Sequence, residues 1–330
     1  MGTEKISMKK ISEEAGVSVA TVSRVINQNG RFSKETEEKV LRVIKKYDYR
    51  PNLLAKGLRT KNSKSIGVIV PDITNEFFAR IFRELETRLF QKGYTVILCN
   101  SGEDPHIEDI YYQHLLTKGV VGVIYLSGKN DRRAIDSPIP VVYIDRALNF
   151  ETNGAFIESD SIQGGYLATK ELLDNQCKRI LLVRDKRIIT PPEHRQKGYE
   201  KALIEANIKV DPQLIVKADV GYESGKEAIK KAVNCNLRFD GVFATTDWLA
   251  LGVIDGLREL SYRIPEDIKV IGFDNISISR FSYLPFSTIH QDIPKISEAA
   301  VNVMLKLIKD QEVPDKHIVI PVKLIKRESV

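Results

Sequence analysis

Two different rhythms of apolar residues run along this chain. Up to Tyr47 the apolar positions recur at helical spacing; from Ile66 onward, short β-branched runs alternate with amphipathic helical stretches. In the first part, Ile11, Ala15, Val17, Val22 and Val25 fall where two short crossed helices would face each other. Gly16 lies between them and supplies the backbone freedom of a tight turn. Ser7, Ser18 and Ser33 stand at the N-cap positions of three helices, since a short hydroxyl side chain can accept from the backbone N–H groups a helix start leaves unpaired. The third helix opens on Glu35, Glu37 and Glu38, which complement the dipole, and carries the stripe Val40, Leu41, Val43, Ile44, Tyr47. The pattern predicts a small three-helix domain over residues 1–50, with a helix-turn-helix over residues 11–27.

Residues 51–65 break this pattern. Pro51 ends the preceding element, and Asn52 can cap one short helix, Leu53 to Arg59, followed by the polar linker TKNSKS. Gly57 lowers such a helix's stability by roughly 1 kcal/mol relative to Ala, and a helix this short does not hold alone in water. The segment therefore needs a partner to order it.

From residue 66 the strands IGVIV (66–70), TVILC (95–99), VGVIYL (121–126) and PVVYID (140–145) alternate with helices at 77–92 and 106–118. The rhythm then repeats: RILLVRD (179–185), LIVKAD (214–219), GVFAT (241–245) and IKVIGFD (268–274), with helices at 195–206, 222–234 and 247–260. This βαβ order predicts two doubly wound parallel-sheet lobes. The first spans about 66–162 and 292–322, and the second about 163–291 and 323–330. KHIVIPVKLI (316–325) reads as one returning strand that crosses between lobes. Ligands bind such sheets in the crevice beyond the strand carboxyl ends.

Charge sharpens the division. Residues 1–64 hold 15 Lys/Arg against 7 Asp/Glu, a net of +8, while the remaining 35 and 37 leave the rest at −2. A basic head on a neutral body is the footprint of a nucleic-acid reader. The second helix of the head would present Val19, Ala20, Ser23, Arg24 and Asn27 outward. Small residues beside one arginine fit a major groove, where Arg pairs with a guanine edge. An amphipathic hairpin packed into a larger core is the plainer reading, and the charge excess argues against it.

Other classes recede. The charged start MGTEKISMKK and the absence of any apolar run of about 18 residues predict neither a secretory leader nor a membrane span. Cys99, Cys177 and Cys235 are widely spaced and odd in number, as in a reduced cytoplasmic protein. His106, His114, His194, His290 and His317 show no metal-ligand spacing. With no P-loop and no G-x-S-x-G elbow, the sequence predicts neither an enzyme nor a cofactor.

The segments AGVSVATVSRVIN, YRPNLLAKGLRT, IGVIVPDITNEFF, VIGFDN and STIHQD occur in this order from about residue 7 to 327. In this the chain resembles the LacI/GalR family of bacterial transcription regulators. The resemblance implies an all-α helix-turn-helix head on a periplasmic-binding-protein-like core, acting as a homodimer on a pseudo-palindromic operator. It implies base contacts from Val19 and Ala20 (apolar only), Arg24 and Asn27, and phosphate contacts from Ser18, Thr21 and Ser23. It makes Asn52–Arg59 a hinge helix that folds in the minor groove, with Leu58 as the wedge and Ala55 beside it.

The resemblance also implies a pocket for a small sugar. Asn75, Phe77 and Phe78 follow the first strand, the rings stacking on the sugar's apolar face. Asp145 and Arg146 end the fourth strand, Arg195 starts a helix, Thr246 and Asp247 follow a strand, Asp274 ends another, and Gln291 lies in the crossing segment. Trp248 would sit at the rim. The polar set is most similar to that of ribose-binding proteins, with Thr246 in place of an expected Asn. The implied function is a repressor of a carbohydrate operon released by a sugar or sugar phosphate, D-ribose first. A carbon-control regulator answering to a phosphorylated carrier protein is a second reading. A transporter's solute-binding protein is a third, against which the basic head stands.

Overall fold

The computed structural model describes residues 6–27, 29–47, 49, 64–126, 137–145 and 154–330. The chain divides into two compact units, residues 1–63 and 64–330.

In the first unit, α1 (Met8–Ala15), α2 (Val19–Asn27) and α3 (Lys34–Lys46) close on one small core. Each starts at a serine. Ser7 Oγ accepts from the Lys10 N–H at 3.3 Å, Ser18 Oγ from Thr21 at 3.1 Å and Ser33 Oγ from Thr36 at 3.1 Å. Gly16 turns the chain with φ +66°, a left-handed value that costs glycine little, and its N–H returns to the last carbonyls of α1. Ile11, Ala15, Val22, Val25 and Val40 are buried together, with Val17, Val43, Ile44 and Tyr49 packed around them. Burial of each large aliphatic side chain contributes about 1.5–3 kcal/mol, which is how so short a domain holds. Glu14 ties α1 to α3, accepting from Lys46 Nζ at 3.0 Å and from the Tyr47 hydroxyl.

The second unit holds two six-stranded sheets. The first contains β1 (Ser65–Val70), β2 (Thr95–Asn100), β3 (Gly122–Tyr125), β4 (Val141–Ile144), β5 (Ala155–Ser159) and β11 (His317–Ile320), in the order β11-β5-β4-β3-β1-β2. All its pairings are parallel. The second contains β6 (Ile180–Asp185), β7 (Ile215–Ala218), β8 (Gly241–Ala244), β9 (Lys269–Asp274), β10 (Ser287–Gln291) and β12 (Val322–Ile325), in the order β12-β10-β9-β8-β6-β7. Only β12 runs antiparallel.

Helices α4 (Glu76–Gln91), α5 (Pro105–Thr117) and α11 (Ile293–Ile308) belong to the first lobe. The second has α6 (Ser161–Asp174), α7 (Thr190–Glu205), α8 (Tyr222–Asn234), α9 (Asp247–Glu259) and the single turn α10 (Ile278–Phe281). The α4 stripe Phe77, Phe78, Ile81, Leu85, Leu89 and the α11 residues Ile296, Ala300 and Met304 form one core over the first sheet. That core reaches across to the second lobe at Ile276, and partly buried Trp248 and Ile278 pack against it.

The fold departs from the sequence pattern in three ways. The run at 316–325 is two strands, because Pro321 has no N–H for a ladder; β11 joins the first sheet and β12 the second. The second-lobe helix α7 begins at Thr190, not 195, because Pro191 and Pro192 fit a first helical turn where no N–H is needed. Elements β5, α6, α10, β10 and α11 lie where the sequence pattern predicts no regular element. The chain thus passes between lobes near Asp160, Asp292 and Pro321.

Helices α6 and α7 touch backbone to backbone. A Cβ on Gly198 would lie 2.0 Å from the Ile162 carbonyl oxygen, and one on Gly165 would lie 2.1 Å from that of Arg195. Backbone cannot yield as a flexible side chain can, so Gly198→Ala is expected to destabilise the protein by at least about 2 kcal/mol. Urea unfolding checks this, with Lys197→Ala on the exposed face of the same helix expected to stay within about 0.5 kcal/mol of the parent.

Candidate functional site

On the head, α2 turns Val22 and Val25 inward and leaves Ser18, Val19, Ala20 and Arg24 exposed, with Thr21 and Ser23 half-buried between them. The Ser18 and Thr21 hydroxyls hydrogen-bond each other at 2.9 Å, closing the first turn. The stem of Arg24 lies along Gly30, where an added Cβ would meet Arg24 Cδ at 3.3 Å. One face therefore carries a methyl-rich patch followed by one guanidinium. The side chain of Asn27 lies outside the described residues, as do Asn52, Ala55, Leu58 and Arg146.

In the second unit, Asp274 ends β9 and is 7 % exposed. Gln291, at the end of β10 and fully buried, donates from Nε2 to Asp274 Oδ1 at 2.8 Å. Arg195, on the first turns of α7, brings Nη2 to 3.8 Å from the same oxygen and donates from Nη1 to the Thr245 carbonyl. Its guanidinium lies 3.7 Å from the centre of the Phe273 ring, a cation–π contact that replaces part of the lost hydration. Among the described residues, the buried Arg195 Nε and Gln291 Oε1 have no hydrogen-bond partner. Buried polar atoms are nearly always paired, so this leftover donor and acceptor beside one carboxylate are the chemistry that a polar molecule can satisfy. Asp145, after β4, is also buried and raises the affinity of Asp274 for a proton.

Burial pushes the Asp274 carboxyl up to about 7; Arg195 opposes this and Asp145 adds to it. Asp247 is raised well above the carboxylate range by complete burial and by Asp274.

Several expected pocket residues are held by neighbours of their own. Asp247 is fully buried, accepting from Thr288 Oγ1 at 2.5 Å and from the Ile276 N–H at 2.9 Å. Thr246 caps α9, its hydroxyl accepting from the Leu249 N–H at 3.2 Å. Asn75 caps α4, accepting from the Phe77 N–H at 3.0 Å. Phe77 and Phe78 form an edge-to-face pair with centroids 5.3 Å apart, and both are buried in the first-lobe core, because they begin the apolar stripe of α4.

What sequence reasoning missed is the support under Asp274. Asp274 and Asn275 hold φ of +118° and +54°, values that non-glycine residues keep only when neighbours enforce them. Arg327 Nη2 donates to Asn275 Oδ1 at 2.7 Å, and the Asn275 N–H to Thr288 Oγ1 at 3.3 Å. Arg80 of the first lobe donates to the Asn275 carbonyl at 3.2 Å. The partners come from α4, β10 and the C-terminal segment, with nothing in common along the chain. The only local signal was the Asp-Asn pair itself, since Asn tolerates the left-handed region.

Among the described residues no cluster could hold a metal, and no helix is long and apolar enough to cross a membrane. Family models for the lacI family of bacterial regulatory proteins and for a periplasmic binding protein-like domain match residues 7–52 and 169–330. The chain is 34 % identical over 329 residues to the HTH-type transcriptional repressor PurR of Histophilus somni (strain 2336), covering 98 % of each. It is 33 % identical over 324 residues to the ribose operon repressor of Halalkalibacterium halodurans, covering 98 % of this chain and 96 % of that one. The lac repressor bound to ONPG in the repressed state aligns with TM-score 0.90 at 26 % identity, over 99 % of this chain and all of that one. A LacI family regulator from Enterococcus faecium with bound ribose aligns with TM-score 0.71 at 30 % identity, over 81 % and 98 %. Because the likeness runs unbroken through head and body, and these full-length relatives are repressors and not enzymes, the chain belongs to the LacI family of DNA-binding transcriptional repressors.

Proposed function

We propose that this repressor controls a carbohydrate-utilisation operon and is released from its operator by a small sugar, D-ribose first. The observation that carries this reading is the buried set Asp274, Arg195 and Gln291, with one donor and one acceptor left unpaired. A carboxylate accepts from sugar hydroxyls and a guanidinium donates to hydroxyl or ring oxygens, so this set fits a polyhydroxylated molecule. The ribose operon repressor among the relatives and the ribose-bound Enterococcus structure support the choice of sugar. Asp247, Thr246 and Asn75 enter as supports of the crevice wall, and Asp145 and Arg146 as further ligand contacts.

In the same reading the head binds half of a pseudo-palindromic operator and a homodimer binds both halves. Val19 and Ala20 meet base methyls, Arg24 makes the hydrogen-bonded contact, Asn27 lies further along, and Ser18, Thr21 and Ser23 meet phosphates. Residues 52–59 supply the minor-groove contact. A ligand that favours one arrangement of the lobes then lowers operator affinity by its difference in affinity for the two states.

Gel shifts and a thermal-shift panel of pentoses, hexoses and their phosphates test this. Arg24→Ala is expected to lose roughly 10- to 100-fold in preference for operator over random DNA, the discrimination of one bidentate base contact, with the sugar-induced thermal shift unchanged. Asp274→Asn is expected to keep operator binding and lose the thermal shift with every sugar; a retained shift places the site elsewhere. Acidity should matter in one direction. Below the raised Asp274 value of about 7 the group is protonated, so it loses its charge and one oxygen becomes a donor, and above it both carboxylate oxygens accept. Ribose affinity by calorimetry should therefore fall roughly tenfold from about pH 8 to about pH 6.

A further inference from the structure

Glu103 and Arg187 meet across the crevice, apart from the polar set around Asp274. Glu103 follows β2 in the first lobe and Arg187 follows β6 in the second. Their side chains are 30 % and 33 % exposed, so the pair is largely shielded from water. Each end is set in place by its own lobe. Arg187 donates from its backbone N–H to Asp185 Oδ1 at 2.9 Å and from Nε to Asp185 Oδ2 at 2.7 Å. This leaves Nη1 aimed outward, where it donates to Glu103 Oε2. Glu103 holds a left-handed φ of +63°, its N–H donating to Ser101 Oγ at 3.3 Å, and the next residue, Asp104, caps α5. Surface ion pairs contribute little mainly because two long side chains must be ordered; here much of that ordering is already done.

The sheet orders give the pair its leverage. The chain crosses between lobes after β5, after β10 and between β11 and β12, which are the strands at one end of each sheet. Strand β2 is the last strand at the other end of the first sheet, and β6 is next to last in the second. A rotation of the lobes about the three crossings therefore separates Glu103 from Arg187 more than it separates groups near Asp160 or Asp292.

We propose that the Glu103–Arg187 pair is a latch that holds the crevice shut before any ligand arrives. The repressor then starts from a largely closed population, and a ligand acts on that preset balance. The latch does not depend on which small molecule the crevice takes, so failure of the ribose reading leaves it standing.

The test uses the full chain with no sugar added. Donor and acceptor dyes are placed on the native exposed Cys235 of the second lobe and on Glu86→Cys, an exposed position of α4 in the first. Cys99 and Cys177 are buried and react slowly. Labelled subunits are diluted into unlabelled ones so that transfer is within one chain, and circular dichroism confirms that each variant is folded. Glu103→Gln is expected to enlarge the long-distance population about threefold, Arg187→Gln to do the same, and the double variant to shift it no further than either single change, since one interaction is lost once. An unchanged distance distribution in Glu103→Gln, or single effects that add in the double variant, overturns the proposal.

Discussion

A carboxylate taken out of water must be matched by charge and hydrogen bonds or it takes up a proton, and Asp274 stands near that balance. Gln291 and Arg195 favour its charged form, while burial and Asp145 favour the neutral one. Holding it there requires a backbone bend with two successive left-handed residues. That bend in turn needs Arg327, Thr288, Asp247 and Arg80, drawn from four separate stretches of the chain. The glycine contact between α6 and α7 serves the same end, because the backbone it admits so closely is that of Arg195 itself.

The two lobes meet through contacts of different character. Apolar packing of Trp248, Ile276 and Ile278 on the first-lobe core is non-directional and tolerates small rotations. The clasp of Glu76 on the Ser277 N–H and hydroxyl, with Arg80 on the Asn275 carbonyl, is directional. It grips the turn that carries Asp274. Any molecule seated on Asp274 thus acts on a segment that the first lobe also holds, which is a physical route from binding to lobe geometry.

Much of the plan was legible in order along the chain. The serine caps, Gly16 and the inward stripe of the head are local devices, each working within a few residues, and all appear where the pattern puts them. The strands from 66 to 145 and from 179 to 274 were legible because parallel strands buried on both faces read as continuous β-branched runs. Strand β10, with its mixed run STIHQ, and helix α6, interrupted by Gly164 and Gly165, lack those signals. Their assignment waits on the neighbours that bury them.

For the crevice, the sequence alone determined that a charged or polar residue stands at the end of nearly every central strand, because a strand's apolar run stops where the core stops. It could not say which of these residues meet. Asp274, Arg195 and Gln291 converge because the ends of β9 and β10 and the first turns of α7 come together, whereas Asp247 is fully buried and held by Thr288 and the Ile276 N–H. Phe77 and Phe78 follow the same rule: sequence marked them as aromatic at a strand end, and packing of the whole α4 stripe decided that they are core. Local structure depends on near neighbours, which the sequence lists. A site depends on side chains brought together by topology, and that is written only in the fold.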